Sequence, residues 1–79
     1  MEIRERVLKS FCSALEISSD VDVSKLVYRE YPTWTSVGHM LLVASLEDEF
    51  ATMLDTDDIL GVSSFEAAVT IMRKYNAES

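Results

Sequence analysis

A single cysteine, Cys12, excludes any internal disulfide, so a fold built from this chain must be held by packing. One cysteine and one histidine, His39, also leave too few soft donors for a structural metal cluster. With two glycines and one proline there is no flexible linker, and no glycine-rich loop that could cradle a phosphate. Residues 30 to 72 contain no lysine or arginine. A stretch that negative opposes binding to nucleic acid phosphates. No apolar run is long enough to cross a bilayer, and no charged-then-apolar leader opens the chain. These absences predict a soluble cytoplasmic protein with no membrane insertion, working as a monomer.

What is present supports one core. Apolar residues make up 48% of the sequence, enough for a single domain spanning 1–79 with an ordered core over about residues 3 to 75. The tail, Asn76 to Ser79, is expected to fray. The net charge of −7 is unevenly placed. Up to residue 29 the acids Glu2, Glu5, Glu16, Asp20 and Asp22 are balanced by Arg4, Arg6, Lys9, Lys25 and Arg29. Residues 30 to 72 carry Glu30, Glu47, Asp48, Glu49, Asp55, Asp57, Asp58 and Glu66 with no lysine or arginine among them. Such a half favours partners with basic patches, chiefly by raising encounter rates.

The apolar period is helical throughout, and the fold class is all-α. Ile3, Val7, Phe11 and either Ala14 or Leu15 mark a first helix over residues 2 to 15. A long connection follows over residues 16 to 34, where Ser24 can cap a short turn and Ile17, Leu26, Tyr28, Tyr31 and Trp34 can pin the chain to the core. Pro32 biases Tyr31 to an extended conformation, so the second helix starts beyond it, over residues 36 to about 51, with Thr35 as its N-cap. A short acidic turn or helix lies within residues 52 to 62, capped by Asp55 or Thr56 and ended by Gly61. Ser63 and Glu66 match a capping box for a last helix over about residues 64 to 75. The expected architecture is a small bundle of three main helices plus one short one, with a long first loop.

The second helix carries two apolar stripes. On a wheel of 100° per residue, Leu42, Val43, Leu46 and Phe50 group with His39 on one side. Val37, Met40, Leu41 and Ala44 group on the opposite side. Either the helix is buried all round, or the second stripe is a docking patch with Glu47 and Asp48 at its margin. A domain this small favours the docking patch.

The candidate chemistries are thin. Ser36 and His39 stand three apart and could meet on a helix, but neither a nucleophile elbow nor a third residue to orient the histidine accompanies them. Asp55, Asp57 and Glu66 fall at the first, third and twelfth positions of a calcium loop. Ile59 and Leu60 occupy its fifth and sixth positions, where an oxygen ligand and a glycine belong, so a calcium-binding hand is rejected. Adventitious cation binding by Asp55, Asp57 and Asp58 stays open. Trp34, Tyr28 and Tyr31 read as loop anchors rather than as a base-stacking platform. No self-contained active site emerges and no catalytic residue is assigned, so the chain does not read as an enzyme. Chemistry would require a group attached to it.

The residues that point to such a group are "WTSVGHMLLVASLEDEF", from Trp34 to Phe50. This stretch resembles the signature around the modified serine of acyl carrier proteins. Trp34, Ser36, Val37, Gly38, His39 and Met40 match a variant found in stand-alone carriers, and Leu42, Leu46, Glu47, Glu49 and Phe50 match the helix that follows. The likeness continues through "TDDILGVSSFEAAVTIM" and spans about residues 3 to 75, loosely over the first helix and loop.

The resemblance implies 4′-phosphopantetheine as cofactor, attached at Ser36 by a phosphopantetheinyl transferase and flanked by Thr35 and Val37. That modification would make the chain a phosphoprotein carrying acyl groups as thioesters. It also implies docking through Val37, Met40, Leu41, Ala44, Glu47 and Asp48 to acyl-loading and acyl-transfer enzymes with basic patches. Leu46, Ile59, Val62, Ala68 and Ile71 would line a shelter for the acyl chain. Two residues depart from the family pattern. Thr35 stands where the family usually has aspartate, which removes a charge beside the phosphate but keeps a capping oxygen. Leu41 stands where many fatty-acid carriers have glutamate. Both departures imply a specialised carrier with dedicated partners in a lipid, polyketide or polysaccharide-modifying pathway, rather than the housekeeping carrier of fatty-acid biosynthesis. The alternatives are a peptidyl or aminoacyl carrier, or a helical interaction module that is never modified.

Overall fold

The four helices of the computed structural model, which describes Glu2 to Asn76, follow the sequence periods closely. They are α1 (Ile3–Leu15), α2 (Ser36–Phe50), α3 (Thr56–Gly61) and α4 (Phe65–Asn76). No strand occurs among the described residues; one isolated bridge pairs Val27 with Ser64. The first helix packs against α2 and α4, and α3 leans on α4. Of the tail expected to fray, Asn76 to Ser79, Asn76 instead closes α4, and Ala77 to Ser79 lie outside the described residues.

Helix α1 buries Val7, Ser10, Phe11 and Leu15; its last apolar core position is Leu15 rather than Ala14, which is half-buried. Ser10 is a polar residue in that face, and its hydroxyl donates back to the Arg6 carbonyl at 3.2 Å, so its burial leaves no donor unpaired. The helix ends on Glu16 in the left-handed region, φ 54°, with its N–H donating to the Cys12 carbonyl. Helix α2 ends the same way on Ala51, φ 50°. Both stops use residues with a Cβ where glycine is easiest, at a cost of about 1 kcal/mol each.

The core is centred on aromatic rings. Phe11 meets Trp34 edge-on at 5.0 Å between centroids and Phe65 at 5.4 Å. Leu26, Leu42, Leu46, Val62, Ala68 and Met72 are wholly buried around them. The long connection is held in three ways. Trp34 is wholly buried, so the loop sends its largest side chain into the core. A 3-10 turn covers Val23–Lys25, and its cap is Asp22 rather than Ser24. Asp22 Oδ1 accepts from both the backbone and the hydroxyl of Ser24, at 3.1 and 2.7 Å, because aspartate precedes the turn and can reach forward into it. Finally Tyr28 N donates to the Ser63 carbonyl and Phe65 N to the Leu26 carbonyl, tying the loop to the start of α4.

That tie also corrects the expected capping box. Ser64, not Ser63, caps α4, its hydroxyl accepting from Ala67 N at 3.1 Å. Ser63 is held outside the helix by its bond to Tyr28, and Glu66 reaches across to Arg4 instead of back to a cap. At α3, Asp55 is the cap, accepting from Asp58 N at 3.0 Å. Gly61 ends that helix without adopting positive φ. A Cβ there would lie 3.3 Å from Ile71 Cδ1, so that methyl would have to shift by a few tenths of an ångström.

Candidate functional site: the start of the second helix

Thr35 caps α2, its hydroxyl oxygen accepting from Gly38 N at 3.3 Å. This leaves Ser36, the first helical residue, exposed beside the remaining unpaired amides. Gly38 lets the loop close over the helix. A Cβ built on it would stand 2.4 Å from the Thr33 carbonyl oxygen and 3.0 Å from Leu15 Cδ2. The loop therefore sits directly on the helix start and fixes where Ser36 emerges.

Ser36 and His39 do not form a nucleophile and base. The Ser36 hydroxyl lies 3.3 Å from the Tyr28 hydroxyl. His39 is committed elsewhere: Nδ1 accepts from the Trp34 indole N–H at 3.1 Å, and Nε2 donates to the Ile59 carbonyl at 2.9 Å. The ring also stacks near Trp34, with planes 16° apart, and near Tyr28 at 4.9 Å. His39 thus joins the loop, α2 and α3; the tie to α3 has no local signature because Ile59 lies 20 residues further along the chain.

The second apolar stripe faces outward. Val37 is 70%, Met40 68% and Leu41 54% exposed, and Ala44 is exposed beside them. The opposite stripe, Leu42, Val43 and Leu46, is buried. Two further apolar residues, Met53 and Leu60, are exposed as well, and nothing in their local pattern marked them. At the margin, Asp48 is exposed, while Glu47 is half-buried and accepts from Leu54 N at 2.9 Å. Glu47 thereby also holds the chain leaving α2.

Ion pairs link α1 to α2 and α4, and α4 to α3. Arg4 pairs with Glu66, Arg6 and Lys9 with Glu49, and Lys74 with Asp58. Arg6 also lies 4.1 Å over the Phe50 ring. The Arg6 hydrogen bond holds the Glu49 carboxyl below the usual carboxylate range. Lys74 and then Tyr75 do the same for Asp58. Asp55 and Asp58 are thus both engaged, as a cap and as an ion pair, in the segment that resembled a calcium loop.

A cleft of about 390 Å³ opens beside Ser36, bounded by Arg29, Tyr31, Pro32, Thr35 and Val37 among others. The five residues expected to shelter an acyl chain lie elsewhere. Leu46, Val62 and Ala68 are wholly buried in the core, and Ile59 and Ile71 pack half-buried against it. Comparison of the chain with models of known families, with curated proteins and with solved structures finds no match.

Proposed function

We propose that this chain is an acyl carrier protein whose working group is a 4′-phosphopantetheine arm on Ser36. The observation that carries the reading is an exposed serine hydroxyl at the first position of α2, with an exposed apolar stripe beginning at the next residue. A helix start favours a phosphate through free amides and the macrodipole. The cleft at Ser36 leaves room for a diester, and Ser36 is exposed, with the Tyr28 hydroxyl 3.3 Å from its own.

In the modification, Ser36 Oγ attacks the phosphorus that bears pantetheine in coenzyme A. The new O–P bond forms as the phosphoanhydride bond breaks. Adenosine 3′,5′-bisphosphate leaves with the electron pair, and the serine proton passes to a base on the transferase. Once attached, the arm supplies a thiol that carries acyl groups as thioesters. Val37, Met40, Leu41 and Ala44, with Glu47 and Asp48 at the edge, then present that arm to acyl-loading and acyl-transfer enzymes with basic patches. A long acyl chain sheltered among Leu46, Ile59, Val62, Ala68 and Ile71 requires α3 to move off α4, because these residues are already packed.

The test is intact mass after incubation with a promiscuous phosphopantetheinyl transferase and coenzyme A. Wild type should gain one phosphopantetheine and Ser36→Ala none. An unmodified wild type, or an equal adduct on the variant, sinks the reading. Thr35, which lacks the acid expected beside the modified serine, favours a second reading, an interaction module using the same stripe without modification. That module would bind its partner as well with Ser36→Ala.

A further inference from the structure

We propose that Arg29, which lines the cleft beside Ser36, and Tyr28, whose hydroxyl reaches Ser36 from outside that lining, together clamp the phosphodiester formed there; this rests on the carrier reading above. Arg29 lines the cleft with Ser36 and makes no ion pair among the described residues. Arg4, Arg6, Lys9 and Lys74 each close on a carboxylate instead. Lys25 and Arg73 also make no ion pair among the described residues, but neither of them lines this cleft. The Arg29 guanidinium matches phosphate oxygens in a planar, forked geometry.

The backbone at this residue is unusual too. Arg29 sits at φ 68°, a region that residues with a Cβ rarely adopt. It is held there by its own N–H donating to the Trp34 carbonyl at 3.0 Å. Glu16 and Ala51 share this region as helix ends, whereas Arg29 lies in the loop, where that bond fixes the course of the backbone along the cleft.

Tyr28 supplies the second jaw. Its hydroxyl stands 3.3 Å from Ser36 Oγ, and either oxygen can be the donor in the unmodified chain. Once Ser36 is esterified its oxygen has no hydrogen left, so Tyr28 must be the donor. Glu30 lines the same cleft and opposes an anion, so the cleft is not a pocket for free phosphate. It holds the anion because the ester tether raises the local concentration.

The test uses the intact protein after loading with coenzyme A and transferase, with mass confirming the adduct. The ³¹P line of native wild type is compared with that of the same protein unfolded in urea. Native wild type should show an offset from the unfolded position. Arg29→Gln should lose most of it, Arg29→Lys should keep more, and Tyr28→Phe should lose part. In wild type the offset should also shrink as salt approaches about 1 M, where screening is nearly complete. A loaded Arg29→Gln with the wild-type shift and relaxation overturns the clamp and leaves the carrier reading standing. A salt-insensitive wild-type offset does the same without any variant. No adduct on wild type overturns both.

Discussion

Trp34 donates its indole hydrogen to Nδ1 of His39 at 3.1 Å, and through His39 the buried tryptophan is linked to the carbonyl of Ile59 on α3. His39→Ala removes the acceptor of a wholly buried indole and the donor that fixes α3. Leaving such a group unpaired costs about 1–3 kcal/mol. In a domain of this size that lowers the melting temperature by roughly 4–8 °C per kcal/mol. Thermal unfolding followed by circular dichroism should show the loss, with altered tryptophan fluorescence in the native state. An unchanged melting temperature would remove His39 from the list of structural ties.

Gly38→Ala sets two effects against each other. Alanine in a helix interior gains about 1 kcal/mol over glycine. Here the added Cβ would stand 2.4 Å from the Thr33 carbonyl oxygen, a backbone atom that no rotamer change can move. Overpacking of that kind costs typically about 1–3 kcal/mol. The clash should win, and the midpoint of urea unfolding should fall. A raised midpoint would mean that the loop over Gly38 yields easily.

How far the sequence discloses this arrangement depends on the range of the interactions. Thr35 and Asp55 were readable as caps because a cap bonds three residues ahead. The two stripes of α2 were readable because the helical period separates them, and the structure leaves one exposed and buries the other. Ser63 and Ser64 offered nearly the same local pattern. The choice between them is made by Tyr28 and Leu26, far away in the chain. The positive φ of Arg29 and the bond from His39 to Ile59 have no local signature for the same reason. Around Ser36, then, the residues on α2 could be read, but the loop that frames them could not.

Acid should destabilise the fold through its cross-bundle pairs. Glu49, Glu66 and Asp58 have their carboxyls held low, first by hydrogen bonds to Arg6, Arg4 and Lys74 respectively. A carboxyl with a lower native than unfolded pKa binds fewer protons when folded. Its stabilisation is fully present above the unfolded value, about pH 4, and is lost as pH falls through the native value. The melting temperature should therefore drop below about pH 4. Glu49→Gln should lower it at neutral pH and flatten its dependence on acid. A variant with an unaltered acid profile would show that Glu49 contributes nothing to this loss.

Leu41 and Leu42 are neighbours with opposite surroundings, 54% and 0% exposed, and they separate docking from folding. Leu42→Ala empties a core position and should cost about 2–5 kcal/mol. Leu41→Asp changes the exposed stripe and should move stability by no more than about 0.5–1 kcal/mol, within the range of surface substitutions and helix propensity. If the stripe positions Ser36 on its partners, Leu41→Asp should slow modification by the transferase about tenfold, the equivalent of about 1.4 kcal/mol in the barrier. Urea unfolding and the rate of mass gain measure the two effects on the same samples. A Leu41→Asp protein that is stable and modified at the wild-type rate would show that the transferase does not use the stripe, and the outward face of α2 would then need a different occupant.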